Sequence, residues 1–205
     1  MSKYLIIFAL SYIVGSIPFA YIIVRLFFRK DISKEGSGNV GAMNSYEVTG
    51  RKWVGFLVFL FDFLKGISVV LISRHLIPDD DFAILAASFS VVLGHNFSLF
   101  LRFKGGKGLA TSAGVLLLIQ PIILLLWVIL WLLIYNFVKK DMDIANPATS
   151  VISPFLFFVL PEDFVLKANI IPFQSRIVLY ITIGLLALLI LSKYFIVLKL
   201  KLSKK

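Results

Sequence analysis

The polar positions of this chain come in short blocks between long apolar runs. The runs cover residues 4–28, 53–73, 82–100, 109–138, 145–160 and 177–198. A helix rises about 1.5 Å per residue, so ~20 apolar residues cross a ~30 Å hydrocarbon core. The run over 109–138 is too long for that: as one helix it would measure about 45 Å. Gln120-Pro121 lies inside it, and proline interrupts a helical hydrogen-bond ladder. The pattern therefore predicts a short fourth span over 109–119 and a fifth over 122–138, seven spans in all.

The blocks between the runs predict the orientation. Arg25, Arg29, Lys30 and Lys34 close the first run, Arg102, Lys104 and Lys107 the third, and Lys139 and Lys140 the fifth. Lys193, Lys199, Lys201, Lys204 and Lys205 close the last. Pro78-Asp79-Asp80-Asp81, after the second run, is acidic, and Pro161-Glu162-Asp163 ends the sixth. Basic loops stay in the cytoplasm. Seven crossings put every strongly basic block on that one side, whereas a single crossing over 109–138 would divide them. The expected fold is an all-α polytopic membrane protein with seven transmembrane helices, N-terminus outside and C-terminus cytoplasmic. Residues 1–205 are expected to form one membrane-embedded domain, with cytoplasmic loops at about 29–52 and 101–108. The first run has no small-residue cleavage site and continues into Arg25 and Arg29, so it is read as a retained span.

Composition narrows the chemistry. The chain is 60% hydrophobic with 20 Phe, against ~45–50% apolar for soluble domains. It has no Cys and only two His, at 75 and 95, so neither a thiolate site nor a protein-only metal cage is expected. The net charge of +10 sits at the ends of the apolar runs, as topology signals do, and does not point to nucleic acid. No cofactor is implied. The Phe and Leu stripes read as packing and lipid-facing surface.

The chemistry lies in the loops. Gly36-Ser37-Gly38-Asn39-Val40-Gly41-Ala42-Met43-Asn44 fits G-x-G-x-x-G, but a membrane run precedes it where a dinucleotide site needs a strand. A second block runs from Gly94-His95-Asn96-Phe97-Ser98 to Phe103-Lys104-Gly105-Gly106-Lys107-Gly108-Leu109-Ala110-Thr111. It is not a nucleotide-hydrolysing loop: Leu101 stands where the first glycine would be, and no Ser or Thr follows Lys107. Glycines and lysines entering a helix N-terminus suit an anion, because amides and ammonium groups converge on its oxygens. Snorkelling explains Arg102 and Lys104 alone, but not the glycines beside them. Both loops are expected on one membrane face, sharing a phosphate site. Asp62 and Lys65, spaced i, i+3 inside the second run, are expected to pair on one helix face as buried support.

Taken together, Gly36 to Ala42 with Asn44, the two parts of the second block, Asp62 and Lys65-Gly66 resemble the acyl-phosphate-dependent glycerol-3-phosphate acyltransferases of bacteria, the PlsY-type family. The resemblance runs the whole length. It implies a seven-span protein of the bacterial inner membrane with its site facing the cytoplasm. It further implies transfer of a fatty acyl group from acyl phosphate to the sn-1 hydroxyl of glycerol 3-phosphate, giving lysophosphatidic acid for phospholipid synthesis. Its partners would be those two substrates and the bilayer, with no metal. The chain departs from the family at Ser33 and Glu47, where arginines are usual, and at Met43, usually Thr. The last span ends in Ser192-Lys193-Tyr194-Phe195, without the family's His and Asn. Thr149 and Ser150 match its serine-bearing segment only loosely, and Lys34, Lys193 and Lys199 are the candidates to restore charge. A paralogue with altered or no catalysis is one alternative, and an anion transporter is another.

The candidate catalytic residues are Ser37, His95 and Lys104. Gly36, Gly38, Asn39, Gly41, Asn44, Asn96, Ser98, Gly105, Gly106, Lys107, Gly108 and Thr111 are the candidate substrate-binding residues. No Ser-His-Asp set is apparent, so the expected chemistry is direct attack by the glycerol hydroxyl. Lys104 and Lys107 would hold phosphate, aided by the amides of Gly105, Gly106 and Gly108. Ser37 and Asn39 would orient the other substrate. The base is either His95 or the donor's own phosphate, the latter favoured by the resemblance.

Overall fold

The computed structural model describes residues 2–161, 165 and 169–202, with side chains as far as Ile196. Glu162, Asp163, Lys204, Lys205 and the side chains of Lys199 and Lys201 lie outside the described residues. The described residues contain helices and no strand. In order they are α1 (Ser2–Ser16), α2 (Phe19–Phe28), α3 (Ala42–Thr49), α4 (Lys52–Leu76), α5 (Asp81–Asn96), α6 (Leu109–Ile119), α7 (Pro121–Leu133), α8 (Met142–Val159) and α9 (Arg176–Leu202). Among the described residues six stretches are long and apolar enough to cross a bilayer: Ser2–Phe28, Lys52–Leu76, Asp81–Leu101, Pro121–Val138, Met142–Val159 and Arg176–Ile196. The chain is a multi-pass helical membrane protein.

The first run, expected as one helix over 4–28, is broken. Ile17-Pro18 separates α1 from α2, because Pro18 has no amide to continue the ladder. Backbone freed inside a membrane must be satisfied by protein. Lys65 of α4 donates its ammonium to the carbonyls of Gly15 (2.9 Å) and Ile17 (3.3 Å). The Ser98 hydroxyl donates to the Ser16 carbonyl at 2.5 Å, and the Leu99 amide to the Ser16 hydroxyl at 3.3 Å. The break thus welds α1 to α4 and to the end of α5.

Close helix crossings place the rest. A side chain at Gly15 would collide with the Val91 carbonyl, and one at Gly94 with that of Tyr12, so α1 and α5 meet backbone to backbone. Gly66 against Thr111 and Gly114 against Phe63 do the same for α4 and α6, as small residues do in membrane bundles. At 11 residues α6 is only about 16 Å long. It ends at Gln120, fully buried, whose side-chain amide donates to the Val165 carbonyl at 3.0 Å. The Ile171 amide donates to the Leu118 carbonyl at 2.9 Å. The segment before α9 therefore covers the end of α6, and the helix breaks at Gln120-Pro121 as expected.

Side-chain contacts sort the loops into two rims. Lys3 and Tyr4 reach Asp80 at 3.0 and 2.9 Å, and Asp81 accepts the amides of Gln174 and Ser175. At the opposite rim Lys107 meets Asp143 at the start of α8, and Lys193 near the end of α9 donates to the Asn96 carbonyl at 2.9 Å. The glycine loops lie on this second rim.

Candidate active site

The first glycine loop is wound around one side chain. Asn44, in the first turn of α3, accepts the Ser37 amide at 2.9 Å and donates to the carbonyls of Ile32, Glu35 and Asn39. Gly36 and Gly38 adopt positive φ, 56° and 71°, the left-handed region where glycine carries no Cβ penalty. A side chain at Gly36 would also strike the Asn44 carboxamide. Buried Ile32 and Val40 anchor the loop on Val24, Val54 and Val58. Ser37 is left exposed at the tip, its hydroxyl accepting the Asn39 amide at 3.4 Å. Gly41, buried, starts α3.

The second loop folds back on α5. Gly105 donates its amide to the Asn96 carbonyl and Gly106 to that of His95, both at 3.1 Å. Those two amides therefore cap α5 and are not presented to a ligand, a correction to their expected role. The free amides lie one turn further on. Gly108 is the N-cap of α6 at φ 81°. Its amide and those of Leu109, Ala110 and Thr111 have no acceptor among the described residues, as at any helix start. Such an end carries partial positive charge.

The two loops meet. A side chain at Gly106 would collide with Nε2 of His95 and stand 2.8 Å from the Val40 carbonyl of the first loop. Below them is a narrow cleft of about 10 Å³, lined by Val40, Asp62, Lys65, His95, Ser98, Gly105 and Gly106, together with the α1–α2 break. On its floor Lys65 pairs with Asp62 at 2.8 Å, and Nδ1 of His95 lies 3.4 Å from the same carboxylate oxygen. Asp62, Lys65 and His95 are each under 10% exposed. The expected Asp62–Lys65 pair is present. Its reach to His95 and to the broken helix needed the fold to appear.

Several predicted contact residues are committed to the framework. Asn96 donates its side-chain amide to the Leu189 carbonyl of α9 at 2.9 Å. Ser98 holds Ser16, and Thr111 is fully buried beneath Gly66. Thr149 and Ser150 turn their hydroxyls onto carbonyls of their own helix. Lys193, a candidate to restore charge, is spent on Asn96 and the Phe97 ring. Lys34 is exposed, 3.7 Å from Asp31. Lys104 is exposed, and its ammonium has no partner among the described residues. Lys107 pairs with Asp143 at 2.7 Å and lies 4.1 Å over the Tyr194 ring, whose hydroxyl accepts from Asn146 at 2.7 Å.

An exposed glycine-lysine rim over a buried ionic floor suits a phosphorylated ligand held at a membrane face. A family model described as glycerol-3-phosphate acyltransferase matches residues 5–198. The chain belongs to the glycerol-3-phosphate acyltransferase family. It is 37% identical over 159 residues to the glycerol-3-phosphate acyltransferase of Anaplasma marginale (strain Florida), covering 78% of this chain and 77% of that protein. To that of Aster yellows witches'-broom phytoplasma (strain AYWB) it is 32% identical over 213 residues, covering 94% and 90%. Its fold is similar to the crystal structure of PlsY (YgiH), an integral membrane glycerol 3-phosphate acyltransferase, in its glycerol 3-phosphate form. The TM-score is 0.78 at 29% identity, over 98% of this chain and 92% of that one.

Within this acyltransferase family member, Asp143, Asn146 and Tyr194 are the site neighbours that the sequence reading missed. No motif marks them, since they come from two helices and converge on Lys107 only through packing. The departures have local partners too. Ser33 donates its hydroxyl (2.6 Å) and amide (3.1 Å) to Asp31. The hydroxyl bond first, and then the amide, holds that carboxyl below the usual carboxylate range. Glu47 and Met43 are exposed on α3.

Proposed function

We propose that this chain transfers a fatty acyl group from acyl phosphate to the sn-1 hydroxyl of glycerol 3-phosphate, forming lysophosphatidic acid at the cytoplasmic face of a bacterial inner membrane. Residues 1–205 act as one unit crossing seven times, with α6 as the fourth crossing and the N-terminus outside. The carrying observation is the contact of the two glycine loops on one rim, beside exposed Lys104 and the free N-terminal amides of α6. Family membership supplies the reaction class.

The hydroxyl oxygen attacks the acyl carbon. The new ester C–O bond forms, the acyl–phosphate C–O bond breaks, and inorganic phosphate leaves. The hydroxyl proton passes to the donor's own phosphate, which is the base. Lys104 neutralises phosphate charge and the α6 amides bind its oxygens, while Ser37 and Asn39 orient the acceptor. Positioning and charge stabilisation are then the main work of the protein. His95, closed between Asp62 and Gly106, fixes the loop from below. Asn44, Asn96, Ser98 and Thr111 are positioning residues in this scheme.

Protein purified in detergent and given acyl phosphate with glycerol 3-phosphate is expected to release phosphate and lysophosphatidate together. Lys104→Ala is expected to lower kcat/KM about 100-fold, the usual loss on removing one transition-state donor. Unchanged turnover in that variant would overturn the assignment of Lys104. Trapping a covalent acyl-enzyme would refute direct attack. Binding without turnover would favour a non-catalytic paralogue, and flux across vesicles a transporter.

A further inference from the structure

Lys107 is the residue of the second loop that already holds an anion. Its ammonium is 2.7 Å from Oδ1 of Asp143, and its side chain is only 16% exposed against 43% for the carboxylate. Below the ammonium lies the Tyr194 ring at 4.1 Å. Asn146, one turn along α8 from Asp143, steadies that ring by donating to its hydroxyl at 2.7 Å. Lys107 directly precedes Gly108, the N-cap of α6. A phosphate seated on the α6 amides and on Lys107 would compete with the Asp143 carboxylate for that ammonium. Two anions at one ammonium repel each other, and one has to give way.

We propose that Asp143 is a resident counter-anion, which the substrate phosphate displaces from Lys107 and which returns as the product phosphate leaves. The Tyr194 face holds the ammonium in place while its partners exchange, since a ring and an ammonium attract without a second charge. Asp143 lies in the first turn of α8 with its carboxylate well exposed. Water can solvate it on release, so the exchange carries little desolvation cost. Asp143 thus sets how tightly phosphate is held. The carboxylate keeps the bound state from becoming a trap, and it discriminates against weakly charged ligands that cannot compete for Lys107.

The proposal rests on the acyltransferase reading, and its test separates the two. Wild type and Asp143→Asn are purified in detergent at low salt. Measured for each are the KM for glycerol 3-phosphate, inhibition by inorganic phosphate, and the inorganic phosphate concentration that half-protects against thermal unfolding. The variant is expected to reach all three midpoints at about two- to five-fold lower concentration, the range of a partly exposed ion pair. That difference should shrink as salt screens the competing charges. Asp143→Glu keeps the charge and should follow the wild type, and Asp143→Ser provides a second uncharged variant should Asn disturb α8. A higher phosphate midpoint in the uncharged variants would overturn the proposal, since Asp143 would then position Lys107 for the ligand. An unchanged midpoint would overturn it as well, because carboxylate and phosphate would never meet. Wild type without turnover would sink the acyltransferase reading alone, since the phosphate-protection midpoints still decide the role of Asp143.

Discussion

Gly106→Ala is expected to abolish most activity, lowering kcat/KM by at least about 100-fold, the loss that a misplacement near 1 Å can produce. An added methyl would collide with Nε2 of His95 on one side and meet the Val40 carbonyl at 2.8 Å on the other. Neither neighbour yields cheaply. The His95 ring faces the Asp62 carboxylate, and Val40 is buried in the cluster beneath the first loop. The methyl must therefore push apart the two loops that the proposed reaction needs in contact. The control is Gly184→Ala on α9, where an added Cβ meets nothing within 4 Å among the described residues; turnover should stay at the wild-type value and the melting temperature should not fall. Paired measurements of kcat/KM and thermal stability decide the matter. Wild-type turnover in Gly106→Ala would mean that the loops do not act as one site.

Lys65→Met is expected to be the most destabilising single change. It removes the partner of Asp62 and the donor for the Gly15 and Ile17 carbonyls together. Breaking one partner of a buried pair costs about 3–5 kcal/mol, because the other charge remains uncompensated. The orphaned carbonyls at the α1–α2 break add to that, since a Met side chain offers them no donor in place of the ammonium. Thermal unfolding in detergent checks it. Adding Asp62→Asn should recover part of the loss but not all, since the carbonyls stay unsatisfied; the double-mutant cycle separates the two contributions. Full recovery would show that the break needs no support from α4. Lys65→Met without loss of stability would mean that the floor of the cleft is not built on this pair.

The sequence by itself determined what a linear signal can carry. Run lengths and hydropathy placed the spans, because the bilayer imposes its thickness on each helix separately. Gln120-Pro121 marked the helix break between α6 and α7, since proline acts on its own backbone. The spacing of Asp62 and Lys65 implied their pairing, since i, i+3 is a property of one helix. The glycine-lysine block identified the rim where the α6 amides lie free. Tertiary structure decided which groups are spent within the framework. Gly105 and Gly106 spend their amides on the end of α5, Asn96 reaches across to α9, and Ser98 closes the gap at Ser16. None of these acceptors is fixed by local spacing, because each lies on an element brought near by packing. The same holds for Asp143 and Tyr194, which come to Lys107 from helices more than thirty residues away in the chain. Pro18 was a visible signal for the broken first helix, but only the bundle supplies the lysine that makes such a break tolerable inside a membrane.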